Sequence, residues 1–282
     1  MKWFNKKVEH QEVEIIDVYI TTHQRSSLLE QCLEALIKAV NASAFEFRIM
    51  VLSDQTDDET HKVLSIYKNR ISVISTNEQL GLPFMFNQIL DYSQNLIGRT
   101  EKPPLLICYL QDDAIIQYPN SFFDLIIRTH QAYKNKLPLG FITGFYSPIH
   151  PGFNIIRTEE LTLIESDSLD GKNMIGPPEL FESIGKLSWR DHKNRVRGNP
   201  GPIGSGFDLW QWRDSPTSTL KQKKVNLCIP GLIETIGSDD STWNNKSDKP
   251  LEIERRIKIG KIYQTRDSVV NIDQTDFYKP KE

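Results

Sequence analysis

Four short runs rich in β-branched and aromatic residues, at positions 15–22, 45–52, 71–74 and 106–111, alternate with three longer stretches of mixed polarity. The best defined stretch sets Leu28, Leu29, Cys32, Leu33, Leu36 and Ile37 on one helical stripe. Ser26 or Ser27 can cap that helix, with Glu30 placed for a capping box. A second helix is predicted to run to Lys68 and a third from Phe84 to Leu96. Such alternation leaves few architectures. Strands joined by crossover helices lie parallel in one sheet, with helices on its faces. The expected class is α/β, with a mostly parallel, Rossmann-like central sheet.

The fourth run ends abruptly in Asp112 and Asp113. In a parallel sheet, ligands collect outside the carboxyl ends of the strands. Two adjacent carboxylates there offer hard oxygens that suit Mg²⁺ or Mn²⁺, ions that in turn suit a diphosphate. The plainer alternative is an acidic turn after a buried strand.

Beyond residue 125 the pattern is less regular. Residues 138–145 read as a strand and 153–164 as a β-hairpin. Pro178 suits the first turn of a helix and Gly185 a C-terminal cap. Residues 225–230 read as a late strand, and 238–249 as a polar loop. Charge is uneven: positions 12–124 carry 16 acidic and 8 basic side chains, whereas 186–224 carry 9 basic and 3 acidic ones. That asymmetry fits either an anionic partner or a solvated basic face.

A length of 282 residues with 38% hydrophobic content is enough for one large α/β domain or two small ones. No run approaches the roughly 18 apolar residues of a membrane span. The basic start MKWFNKK lacks the apolar stretch of a signal peptide. Cys32, Cys108 and Cys228 lie far apart in apolar segments and read as free core thiols of a reducing compartment. These features predict a cytoplasmic protein without a transmembrane segment.

Four segments together resemble the nucleotide-binding half of family-two, GT-A-fold inverting glycosyltransferases. VYITTHQR, residues 18–25, is similar to the opening strand and its T-x-x-R turn. VLSDQTDDET, residues 51–60, resembles V-V-D-D-x-S-x-D-x-T, whose acidic residue meets a uracil-type base. Asn77 to Asn87, with Gly81 between, resembles the N-x-G-x-x-x-A-x-N loop over the nucleotide. YLQDD, residues 109–113, resembles the D-x-D metal motif in its x-D-D form.

The resemblance implies a single GT-A domain over 1–282. Residues 13–125 would bind the nucleotide sugar and 138–250 the acceptor, with 251–282 a C-terminal extension. It implies inverting transfer from a nucleoside-diphosphate sugar, UDP-linked if Asp54 accepts a pyrimidine N–H. Asp54 could instead, or as well, cap the helix that follows. Thr21 and Arg25 are expected to meet phosphate, with Thr22 also binding the donor, or Arg25 is a surface residue; Gly81 is expected to permit close backbone approach to the donor or simply to make a turn. Asp113 is expected to ligate Mn²⁺ or Mg²⁺, with Asp112 on the ribose or on a metal-bound water.

In the second half, residues 173–185 resemble the family's strand plus short helix. The family's E-D-x-D-L segment falls on GSGFDLW, residues 204–210, where Ser205 and Gly206 replace the first two acidic residues. Asp208 is therefore the candidate general base, or else a helix N-cap, with Asp191, Asp214, Glu179 and Asp239 in reserve. One of Trp210 and Trp212 belongs to the core; Trp210 is placed to stack on a sugar or base. Thr235 stands where some relatives carry a second, histidine metal ligand, and Glu234 could compensate only from the other face of a regular strand.

The acceptor is expected to be a glycan or other polyanion. Hydroxymethylated bases in DNA are an alternative because of the basic 186–224 segment. A nucleotidyltransferase would need a Gly-rich, basic phosphate loop, which residues 21–25 lack. A nucleotide-sugar-binding protein without catalysis is the non-enzymatic alternative, consistent with Ser205, Gly206 and Thr235.

Overall fold

The structure, a computed structural model, describes residues 14–97, 102–133, 139–144, 152–166, 173–186, 190–191, 202–203, 224–229 and 231–236. The first half runs β1 (Ile15–Thr22), α1 (Ser26–Ala42), β2 (Glu46–Ser53), α2 (Asp58–Ile66), β3 (Ser72–Ser75), α3 (Leu82–Ile97) and β4 (Leu106–Gln111). It continues through β5 (Ala114–Ile116), α4 (Phe122–Tyr133), β6 (Leu139–Thr143), β7 (Gly152–Arg157) and β8 (Thr162–Ser166). Then come β9 (Asn173–Gly176), α5 (Pro178–Ile184), β10 (Arg190–Asp191), β11 (Pro202–Ile203), β12 (Lys224–Ile229) and β13 (Ile233–Thr235).

The main sheet has the order β3-β2-β1-β4-β9-β6-β12-β8-β7. Its first four strands are all parallel, as the crossover pattern requires. The second half is mixed: β9 is antiparallel to both β4 and β6, β12 is parallel to β6, and β8 and β7 follow antiparallel. β7 and β8 form the expected hairpin. Between Lys186 and the start of β12 at Lys224, the described residues contribute only the short pair β10–β11.

β1 is buried on both faces, as a central parallel strand should be. Ile16, Val18 and Ile20 pack against Leu29, Cys32, Leu33 and Leu36 of α1. On the opposite face Tyr19 lies with Met85, Phe86 and Ile89 of α3 and with Phe181 of α5. Each fully buried large apolar side chain contributes roughly 1.5–3 kcal/mol, so these two layers fix where the strand ends emerge. The only charge within β1, Asp17, is buried and paired with Arg48 of β2 at 2.6 and 3.0 Å.

Two local expectations are corrected. No capping box forms on α1: Arg25 holds the N-cap position without a side-chain cap, and its carbonyl accepts from the amides of Leu28 and Leu29. The chain turns in through a left-handed Gln24, which places Ser26 already inside the helix. Asp54 does not cap α2; Asp57 does, accepting from the Thr60 amide at 2.8 Å.

Gly176 closes β9 where no side chain fits. A Cβ there would lie 2.9 Å from Cδ1 of Leu180 and 3.1 Å from Cδ1 of Phe141, both fully buried. Gly176→Ala should therefore cost about 1–3 kcal/mol, read as a lowered urea midpoint with an unchanged slope. Wild-type stability in that variant would mean the β9–α5 contact is loose.

Candidate active site

β1 lies between β2 and β4. The chain winds outward from β1 to β3 and returns on β1's other side as β4. The crevice outside the carboxyl ends of β1 and β4 is thus a topological switch point, where open α/β sheets bind ligands. Backbone bonds stitch these ends together. The Asp54 amide donates to the Thr22 carbonyl at 2.9 Å, and the Asp112 amide to the Thr21 carbonyl at 3.1 Å. Thr21, Thr22, Arg25, Asp54, Asp112 and Asp113 therefore converge on one edge.

The two adjacent carboxylates have different surroundings. Asp112 is fully buried. The Thr22 hydroxyl donates to its Oδ2 at 2.6 Å, Arg25 Nε donates to the same oxygen at 3.1 Å, and Arg25 Nη2 donates to Oδ1. Asp113 is also buried, with its Oδ2 3.8 Å from Arg25 Nη1. The Thr21 hydroxyl shares a 3.0 Å hydrogen bond with the Tyr109 hydroxyl, and the Tyr109 carbonyl accepts from Nδ2 of the buried Asn173 at 3.2 Å.

Burial pushes the Asp112 carboxyl up from the ordinary 3.8 to about 6, against the opposing pull of Arg25 and Thr22, while Asp113 adds to the rise. The folded state then binds this proton more tightly than the unfolded chain. Its contribution to stability is fully present below 3.8 and is lost as pH rises to about 6. Asp112→Asn should remove that slope from urea unfolding measured across the same window. An identical slope in the variant would place the titration elsewhere.

Asp54 is buried, and its carboxylate faces the loop that precedes α3 rather than α2. Oδ1 accepts from the Leu80 amide at 2.7 Å and from Thr76 Oγ1 at 3.3 Å, and Oδ2 from the Gly81 amide at 2.8 Å. Gly81 has φ +84°, a conformation that L side chains rarely adopt, and its carbonyl receives the Met85 amide at the start of α3. Asn77 is exposed in this loop, and Asn87 is half-buried on α3. His23, Gln24 and Gln55, which the sequence motifs did not single out, join the same edge. His23 Nδ1 lies 2.9 Å from the Asp54 carbonyl, and Gln24 Nε2 donates to the Gln55 carbonyl at 3.2 Å. Gln24 and Gln55 both have φ +49°, a backbone strain that tends to collect at functional sites. The available signal was position, since each follows a strand that ends in a site residue.

β13 pairs with β5 so that Thr235 lies opposite Ala114, and the Ile236 amide donates to the Asp113 carbonyl at 2.9 Å. The segment expected to supply a second ligand thus runs beside Asp113. Glu234 is exposed. A buried carboxylate such as that of Asp113 would suit a hard divalent cation completed by diphosphate and water. Among the described residues no group of three His, Cys, Asp or Glu is assembled around a metal position. Asp208, Trp210, Trp212, Asp214 and Asp239 lie outside the described residues, Asp191 is in β10, and Glu179 is exposed on α5. None of the described helices is long and apolar enough to cross a membrane.

Residues 17–117 match the family model described as Glycosyl transferase family 2. That interval holds every first-half site residue and stops short of Asp208. A search of curated proteins returned no match. Among solved structures, the chain is similar in fold to a mannosyltransferase from Pyrobaculum calidifontis in complex with GDP-mannose and Mn²⁺. The TM-score is 0.51 at 9% sequence identity, covering 89% of this chain. This chain spans 64% of the length of that structure. The fold is GT-A, Rossmann-like α/β, and residues 17–117 within it match the family-two glycosyltransferase model.

Proposed function

We propose that this GT-A-fold chain, with its family-two segment at 17–117, transfers a sugar from a nucleoside-diphosphate sugar to an acceptor hydroxyl by metal-assisted single displacement with inversion. The observation that carries the reading is the junction of the Thr21–Arg25 turn with Asp112–Asp113 at the switch point, inside the matched segment. Asp113 would hold the cation. When bound, Mn²⁺ or Mg²⁺ would act as a Lewis acid on the departing diphosphate.

The protein's own part is to bind and orient. Asp54 fixes the Leu80–Gly81 backbone, and the 77–81 loop would lie over the nucleotide. Base choice would then come from this loop as Asp54 shapes it, with UDP the expected donor. The fold neighbour was solved with GDP-mannose, so a guanosine donor belongs in the same screen. Asp208 would take the acceptor proton, and Trp210 would stack on the acceptor or the sugar. A glycan or other polyanion remains the proposed acceptor, in a cytoplasmic setting that suits the buried free cysteines.

The test is a thermal-shift screen of UDP- and GDP-sugars with and without Mn²⁺, followed by an assay for transfer or slow hydrolysis. One nucleotide sugar should raise the midpoint only when the metal is present, as mass action requires. No shift and no turnover with any donor would overturn the reading.

A further inference from the structure

Arg25 reads from sequence as a phosphate ligand, yet in the fold it is engaged inward. Its Nε and Nη2 both bind the Asp112 carboxylate, and Thr22 adds a third donor at 2.6 Å. Asp112 is fully buried, so these bonds are shielded from water, while only a fifth of the Arg25 side chain is exposed. The backbone beneath the arginine is fixed as well. Its carbonyl receives the Leu28 and Leu29 amides at 3.1 and 3.0 Å, and the preceding Gln24 side chain is bonded to the Gln55 carbonyl. The remaining guanidinium nitrogen, Nη1, is 3.8 Å from Asp113 Oδ2. A guanidinium fork bound through two nitrogens to one carboxylate defines that carboxylate's plane, which a lysine point charge cannot do.

We propose that Arg25 is a positioning residue: with Thr22 it draws the Asp112 carboxylate into the fold and orients the turn so that Asp113 faces the metal–diphosphate. The inference rests on the glycosyl-transfer reading for its consequence, but not for the clamp itself. The sheet topology supplies the reason for such a device. Asp112 and Asp113 follow the last residue of β4 directly, and two like charges in adjacent buried positions repel each other. A fixed cation on one of them holds the turn in a single arrangement. Arg25 comes from the neighbouring strand's turn, so the clamp also fixes the width of the crevice between β1 and β4.

The experiment is a double-mutant cycle of Arg25→Met and Asp112→Asn, with Arg25→Lys alongside. It is read by donor kcat and KM with Mn²⁺, and by thermal midpoints without ligand. Arg25→Met strands a buried carboxylate and should lower kcat/KM about 100-fold or more, with Arg25→Lys recovering only part of the loss. Adding Asp112→Asn removes the charge that needs a partner, so the double variant should regain at least about 10-fold over Arg25→Met. Losses that multiply independently would overturn the proposal and return Arg25 to direct contact with phosphate. Coupling in the midpoints without coupling in kinetics would also overturn it, leaving a purely structural ion pair. A wild type inert toward every nucleotide sugar would sink the glycosyl-transfer reading instead. The midpoint cycle would then judge the clamp by itself, and additive midpoints would end it.

Discussion

Asp113→Asn is expected to abolish metal-dependent donor turnover while leaving the fold intact. Asparagine keeps the volume and one carbonyl oxygen but loses the charge that a hard cation requires. Metal-assisted departure of a diphosphate draws several kcal/mol from that charge, so kcat/KM should fall by at least about 10³-fold. No cluster of carboxylates or histidines stands by among the described residues to take over. Raising Mn²⁺ should therefore rescue little. Stability should move the other way or not at all. Asp113 is buried beside Asp112 and adds to the rise in its proton affinity, so removing the charge relieves repulsion. The backbone bond from Ile236 to the Asp113 carbonyl survives the substitution. A thermal midpoint at or above wild type, together with lost activity and a lost Mn²⁺-dependent donor shift, is the expected set of results. Activity within about 10-fold of wild type would show that the cation is held elsewhere, or that none is needed.

Much of the first half was legible because strand and helix periods differ and the turns between them are polar. β1 was expected at 15–22 and is observed there, and β2, β3 and β4 fall within a residue or so of expectation. For β1 and β4 the agreement follows from burial on both faces, which makes their apolar runs continuous and ends them sharply where the backbone leaves the sheet; β3 is largely exposed and was legible from its β-branched residues. The hairpin β7–β8, the Pro178 helix start and the Gly185 cap were legible for similar local reasons, and the β9–α5 unit from the family resemblance. The helix α4 was not singled out, although Phe122, Phe123, Ile126 and Ile127 recur at helical spacing and are buried. Those residues follow Tyr118 and Pro119 in a turn, which breaks the apolar period just before the helix begins. The short strand β5 was missed because its three residues carry no period.

Which residues gather at one sheet edge was legible, and how they are wired less so. Thr21, Thr22, Arg25, Asp54, Gly81, Asp112 and Asp113 lie at one edge, since they end or follow parallel strands or sit in the loop before α3. Their partners are set by tertiary approach. Nothing local in the sequence tells that Asp54 would receive the amides of Leu80 and Gly81, 26 and 27 residues away. Nor does it tell that Arg25 would cross to Asp112, 87 residues on. Polar residues at strand ends can turn toward a ligand or toward a neighbouring loop, and burial decides between them. Asp112 is fully buried, and its carboxylate is bonded to Arg25 and Thr22.

Asp208→Asn should separate chemistry from binding. A positioned general base contributes roughly 10²–10⁴ in rate, so kcat should drop by that factor while the Mn²⁺-dependent thermal shift by donor stays at wild-type size. Asp113→Asn, by contrast, is expected to lose both, and this contrast makes the pair of variants informative. One-step inversion needs the base across the sugar carbon from the departing diphosphate. Asp113 projects from the turn after β4, and Asp208 belongs to the later half of the chain, beyond the matched segment. The substitution also tests the alternative in which Asp208 is a helix cap. Asparagine caps as well as aspartate, so an inactive but fully stable Asp208→Asn points to proton transfer. Loss of both stability and activity in Asp208→Ala, with Asp208→Asn normal, points to the cap. If Asp208→Asn retains full kcat, the base is another residue. Asp191, Asp214, Glu179 and Asp239 then come under the same test, in which the true base loses turnover without losing donor.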